Sequence, residues 1–216
     1  MLQRRRAAEL AERVGRLLPL TGTEKVLDVG CGTGALAEAL APSAREVTGV
    51  DLDERYIAQA AASAPPNCSF VSGDAVALPF PDASFDVAGC LRVLHHSADP
   101  ERVVAELARV TVPGGRVVVA DQIAGDDPGR AALDHAFEQA RDATHRTLLR
   151  REEIEALLRR HGLTVETCEI SNETRDVGEF LDLVALTGEE RARVLALAPA
   201  DPYEVRVAWF VAAQRL

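Results

Sequence analysis

The run Asp28-Val29-Gly30-Cys31-Gly32-Thr33-Gly34 sets a carboxylate beside three glycines at the end of a short apolar segment. Glycines in such a turn permit positive φ and let a ligand approach bare backbone, which implies a nucleotide-type ligand. Gly30, Gly32 and Ala35 also satisfy the G-x-G-x-x-[GA] fingerprint of dinucleotide-binding enzymes, so the turn alone leaves the ligand open. Asp28, placed before the first glycine, suits a cationic amino group better than a pyrophosphate, which it would repel. Asp51, about 20 residues beyond the turn, is placed to accept hydrogen bonds from both hydroxyls of a ribose. Asp74 can accept from an exocyclic amino group while the Ala75 N–H donates to the adjacent ring nitrogen, an arrangement that reads adenine.

Proton-transfer candidates are histidines. His95 and His96 follow an apolar run ending at Cys90, and His96 is the preferred general base, with anchoring of the following loop as its structural alternative. His145, in Arg141-Asp142-Ala143-Thr144-His145-Arg146, is the second candidate, either touching substrate or solvated. Cys31 and Cys90 have nothing nearby to lower their pKa and read as packing or backbone-contact positions. Cys31, Cys68, Cys90 and Cys168 form no C-x-x-C pair, so no metal site and no disulfide framework is expected.

The elements that must position these residues alternate between short β-branched runs and helical patterns, as a parallel sheet covered on both faces requires. Strands are expected at Lys25–Val29, Glu46–Val50, Cys68–Val71, Phe85–Cys90 and Arg116–Ala120, then at Leu163–Ile170 and Glu204–Ala212. The aspartates Asp28, Asp51 and Asp74 then fall at the carboxyl ends of the first three strands, along one crevice. Helices are expected at Ala35–Leu40, from an Asp53 cap to Ala62, at Pro100–Val110, at Arg151–His161 ending on a left-handed Gly162, and through Val177–Leu197. The charged, alanine-rich stretch Asp126–Arg146 reads as a helix and loop outside the sheet, forming a cover within segment 122–149.

A length of 216 residues favours one domain spanning 1–216. A hydrophobic fraction of 47% with 27% charged residues belongs to a globular chain. Net charge is -10, and the only basic run, Arg4–Arg6, supplies little counterion release, so nucleic acid is not an expected partner. No apolar run reaches the roughly 20 residues that span a bilayer, and no signal-peptide core is evident. The expected setting is cytoplasmic, with a small-molecule substrate and no membrane partner.

Taken together, Val26–Gly34, Gly49-Val50-Asp51, Gly73-Asp74-Ala75 and Arg109-Val110 through Pro113-Gly114-Gly115 resemble class I S-adenosylmethionine-dependent methyltransferases of the ubiquinone/menaquinone-biosynthesis-like (type 11) subgroup. The resemblance covers about Glu24 to Asp121. It implies an α/β, doubly wound, Rossmann-like, seven-stranded and mostly parallel sheet with an antiparallel last strand. It also implies S-adenosylmethionine as cofactor, leaving as S-adenosylhomocysteine. In such proteins Asp28 and the backbone around Gly30, with Cys31, Gly32 and Gly34 completing the turn, hold the methionine part. Asp51 holds the ribose, Leu52 lies against adenine, Asp74 and Ala75 read its edge, and the Cys90 backbone faces the methionine amino group. The implied reaction is methyl transfer to a small molecule, the acceptor atom being oxygen, nitrogen or carbon. A non-catalytic S-adenosylmethionine-binding protein and a nicotinamide-dependent oxidoreductase are the alternatives.

Overall fold

The first strand, β1 (Lys25–Val29), carries apolar side chains on both faces, Leu27 and Val29 on one and Val26 on the other, so it can be buried from above and below. Val26 joins one apolar layer with Leu36, Ala37 and Trp209, whereas Leu27 and Val29 join the opposite layer with Leu107, Ile154 and Leu158. The computed structural model describes residues 2–182, 184 and 186–215, the side chains of residues 2–7 excepted. The Arg4–Arg6 side chains lie outside the described residues.

β1 pairs in parallel with β2 (Glu46–Asp51) on one side and β4 (Phe85–Leu91) on the other. β3 (Cys68–Ser72) extends the sheet beyond β2, and β5 (Thr111–Gln122) beyond β4. The last strand, β7 (Tyr203–Gln214), inserts antiparallel between β5 and β6 (Leu163–Arg175), closing a seven-stranded sheet of order β3-β2-β1-β4-β5-β7-β6. Strand order reverses between β1 and β4, and a crevice opens where the chain leaves their carboxyl ends in opposite directions.

Helices cover both faces. Val14 of α1 (Leu2–Leu17), Leu36 of α2 (Ala35–Leu40) and Phe137 of α5 (Pro128–Arg141) pack on one layer, and Val103 of α4 (Pro100–Val110) and Ile154 of α6 (Arg151–Arg160) on the other. The Asp53 carboxylate accepts the Arg55 N–H and so caps α3 (Glu54–Ala62), as its position predicts. Gly162 adopts φ +79° just past α6, the left-handed stop expected there.

The observed elements depart from the expected ones in three places. β5 starts at Thr111 rather than Arg116, because Pro113-Gly114-Gly115 sits in an irregularity where the register with β4 shifts between Phe85 and Val87. β6 runs on to Arg175 through a polar stretch, its backbone paired with β7 as far as Tyr203. The single helix expected over Val177–Leu197 is instead α7 (Val177–Asp182) and α8 (Gly188–Leu195), separated where Thr187 is extended and Gly188 has φ +58°. Among the described residues no helix is long and apolar enough to cross a membrane.

Candidate functional site

The crevice has a volume of about 1010 Å³, with Gly30, Asp51, Asp74 and His96 among the residues that line it. Its floor is the turn between β1 and α2. Gly30 and Gly32 take φ +66° and +52°, and the Gly30 and Cys31 N–H groups both donate to the Val50 carbonyl, at 2.7 and 3.0 Å. A Cβ on Gly30 would stand 2.4 Å from Val93 Cγ2, whereas one on Gly32 would meet nothing within 4 Å. Gly32 is therefore bare backbone on the crevice side.

Asp51 ends β2 and ties this turn down. Its Oδ2 accepts the Gly32 N–H at 2.8 Å and its Oδ1 accepts the Asp53 N–H at 2.9 Å. A carboxylate has about four lone-pair sites, so two remain for ligand hydroxyls. Leu52, next along, is 72% exposed and offers a flat apolar wall. Asp74 uses Oδ1 to accept the Val76 N–H at 3.1 Å. Among the described residues, its Oδ2 and the Ala75 N–H have no hydrogen-bond partner, leaving an acceptor and a donor side by side.

Asp28 stands behind this surface rather than on it. The side chain is 1% exposed, Oδ2 accepts the Ala37 N–H of α2 at 3.1 Å, and Oδ1 has no partner. Burial pushes its carboxyl up to about 7. Cys31 is buried beneath the turn, and burial raises its thiol to about 12, so it is no nucleophile. Gly34, at φ +92°, is the residue from which α2 starts, packed near Phe70.

One expected position needs correction, that of His145. Cys90, the expected last residue of its strand, lies within β4 one residue before its end, opposite Val29 and Val119, with its side chain buried in the core and outside the crevice lining. The residues that leave this strand into the crevice are Arg92 and Val93, and Arg92 adopts φ +61° with its guanidinium on both Glu173 oxygens at 2.7 Å. Nothing in the sequence marks Arg92 for the left-handed region. His145 is 3% exposed and does not line the crevice; its Nε2 lies 3.3 Å from His135 Nδ1, because α5 brings His135 back over the loop. Burial, then the neighbouring His95, lowers the His145 imidazole to about 4.

The histidine pair divides its work. His95 is buried, with Nδ1 on the Asp121 carboxylate, whose other oxygen accepts the Leu94 N–H at 2.7 Å. His96, half-buried, lines the crevice, and its Nδ1 lies 3.0 Å from Thr144 Oγ1. Burial and then His95 hold His96 below its ordinary value, favouring the neutral ring that a base requires. The loop bearing Thr144 is fastened by the Arg146 and Thr147 N–H groups, which donate to the His95 carbonyl at 2.8 and 3.3 Å.

A doubly wound sheet with a glycine turn and a ligand crevice at its switch point defines a Rossmann-like protein. Residues 27–119 match the family model of a methyltransferase domain. The chain is 35% identical over 176 residues to the 27-O-demethylrifamycin SV methyltransferase of Amycolatopsis mediterranei, a match covering 77% of this chain and 64% of that protein. It is 31% identical over 201 residues to the O-methyltransferase resE of Aspergillus sclerotiorum, covering 88% of this chain and 74% of that one. The crystal structure of the YcgJ protein from Bacillus subtilis superposes with a TM-score of 0.90 at 22% identity, covering 97% of this chain and 99% of that chain. The chain belongs to the methyltransferase domain family. It spans less than two thirds of the length of the Amycolatopsis relative.

Proposed function

We propose that this protein transfers a methyl group from S-adenosylmethionine to a small-molecule acceptor. The observation that carries the reading is the crevice itself. Asp51, Leu52, Asp74 and Ala75 present acceptors, an apolar wall and a free N–H, and His96 lines the same crevice. These residues fit an adenosyl ligand. Asp51 would hold the ribose, Leu52 would cover an adenine face, and Asp74 with the Ala75 N–H would read its edge. The open backbone at Gly32 would take the methionine part. Asp28, buried behind the turn with one oxygen lacking a donor, would take on negative charge when a cationic amino group sits in front of the turn, since an opposite charge favours its ionised form.

When bound, S-adenosylmethionine supplies a methyl group already activated by its sulfonium, so the protein's task is alignment rather than acid catalysis. The glycine turn and Asp51 would fix one partner, and the part of the crevice lined by His96 would receive the other. Within segment 122–149 the loop after α5 acts as a cover, since Asp142 and Thr144 reach the crevice from it, while Phe137 of α5 packs in an apolar layer of the sheet. Oxygen is the favoured acceptor atom, because the Amycolatopsis and Aspergillus relatives are both named for transfer to oxygen. A net charge of -10 argues against a polyanionic substrate.

Titration calorimetry with S-adenosylmethionine, S-adenosylhomocysteine and NAD tests the reading. Both adenosyl ligands should bind and NAD should not, and Asp51→Ala or Asp74→Ala should each weaken binding by roughly tenfold or more. Binding of NAD alone, or of none of the three, would overturn it. Turnover with an acceptor then separates an enzyme from a protein that only binds the adenosyl ligand.

A further inference from the structure

We infer that Thr144 and Asp142 are positioning residues that lock His96 as the Nδ1–H tautomer, so that its Nε2 lone pair faces the crevice ready to take a proton from the acceptor. This rests on the methyl-transfer reading above and assigns the cover loop a part in it.

Hydrogen counting carries the argument. Thr144 has one hydroxyl hydrogen, and its Oγ1 lies 2.6 Å from Asp142 Oδ1 and 3.0 Å from His96 Nδ1. Burial raises the Asp142 carboxyl, but hydrogen bonds from the Thr144 hydroxyl and N–H, with the charges of His96 and Arg141, outweigh it and hold the group below its ordinary range. Asp142 is then a carboxylate, which only accepts, so Thr144 must donate to it. The same oxygen can only accept from His96, which places the ring hydrogen on Nδ1. Nε2 makes no hydrogen bond among the described residues, and His96 lines the crevice.

The surrounding groups leave this assignment intact. The His95 ring lies 4.0 Å away between centroids but is committed to Asp121, and the His145 ring lies 6.4 Å away and faces His135. Asp142 and Asp121 are the acids whose charges act on His96. With Nε2 free, the acceptor that benefits is one that must give up a proton as the new bond to carbon forms, and an ionised carboxylate gains nothing from the device. The proton moves to Nε2, the oxygen or nitrogen lone pair forms the bond to the methyl carbon, and the carbon–sulfur bond breaks with its electron pair left on the sulfur of S-adenosylhomocysteine.

Nitrogen-15 NMR of the whole protein, at a pH where His96 is neutral, reads the tautomer directly from the two ring-nitrogen shifts. Wild type should show Nδ1–H as the major form, Thr144→Val should lower the Nδ1–H to Nε2–H ratio by roughly tenfold, and Thr144→Ser should restore it. A wild-type ring carrying its hydrogen on Nε2 would overturn the proposal, as would an unchanged ratio in Thr144→Val. The wild-type spectrum decides even where a variant folds poorly. Calorimetry on the same sample keeps the two readings apart, since failure to bind S-adenosylmethionine would sink methyl transfer while the tautomer result stood.

Discussion

The Gly32 N–H donates to Asp51 Oδ2 across 2.8 Å, so the end of β2 holds the glycine turn that follows β1. One carboxylate thus shapes the floor of the crevice and also keeps lone pairs for a ligand. Removing it should do two separable things. Asp51→Ala should lower stability by about 1–2 kcal/mol, because the Gly32 and Asp53 N–H groups lose their acceptor, and should weaken adenosyl-ligand binding by more than that loss accounts for. Asp51→Asn keeps an acceptor oxygen for only one of these two N–H groups and turns an NH2 donor toward the other, so it should recover at most about half of the stability and not all of the affinity. Urea melts alongside calorimetry check this; an affinity loss that returns fully in Asp51→Asn would mean the charge is irrelevant.

Gly30 is constrained twice over, by φ +66° and by Val93 Cγ2, 2.4 Å from where a Cβ would stand. Gly30→Ala should cost about 1–2 kcal/mol for the left-handed backbone alone and more for the contact. Adding Val93→Ala should return the contact part and leave the backbone part. Equal destabilisation in the single and double variants, measured by urea unfolding, would show that the clash is relieved by other movement.

Local signals were legible where a few neighbouring residues decide the outcome. Asp53 as a helix cap, Gly162 as a left-handed stop and the strand ends that place Asp51 and Asp74 all depend on short-range chemistry. The last strand's antiparallel return followed from family resemblance, and the sheet order bears it out. What could not be read depends on distant partners. β6 continues through Ser171–Arg175 because β7 supplies hydrogen bonds, not because those side chains favour a strand. His145 resembles an active-site histidine until α5 returns His135 against it, and the His96–Thr144 contact joins residues 48 apart. Arg92 in the left-handed region has no counterpart in propensity.

Asp28 should make the ligand-free protein less stable as pH rises. Burial raises its carboxyl from 3.8 to about 7, so between these values the native state binds more protons than the unfolded chain. Stability therefore falls across that window and levels off above it, by a total on the order of a few kcal/mol. Asp28→Asn keeps an oxygen for the Ala37 N–H and removes the charge. At about pH 8 it should match or exceed the stability of wild type, with the advantage vanishing towards about pH 4. Denaturant melts across that range test it, and a variant less stable than wild type at the alkaline end would contradict the burial argument.

His145 should act in the opposite direction over much of the same range. Its imidazole is lowered from 6.5 to about 4 by burial first and by His95 next, so between these values the unfolded chain binds more protons. Stability contributed by the neutral ring is complete above about 6.5 and is lost as pH falls towards 4. Because His145 immediately follows Thr144, protonating it strains the loop that carries the contact to His96. His145→Phe retains a ring in the buried site while removing the titration, and should flatten the acid limb of the stability profile by an amount on the order of 2–3 kcal/mol. Combining it with Asp28→Asn isolates the remaining groups, since the two shifts partly cancel in wild type. Melts of all four proteins between about pH 4 and 8 check the sign of each. An acid limb unchanged by His145→Phe would assign that loss of stability to other groups, with the exposed carboxylate pairs the next to be replaced.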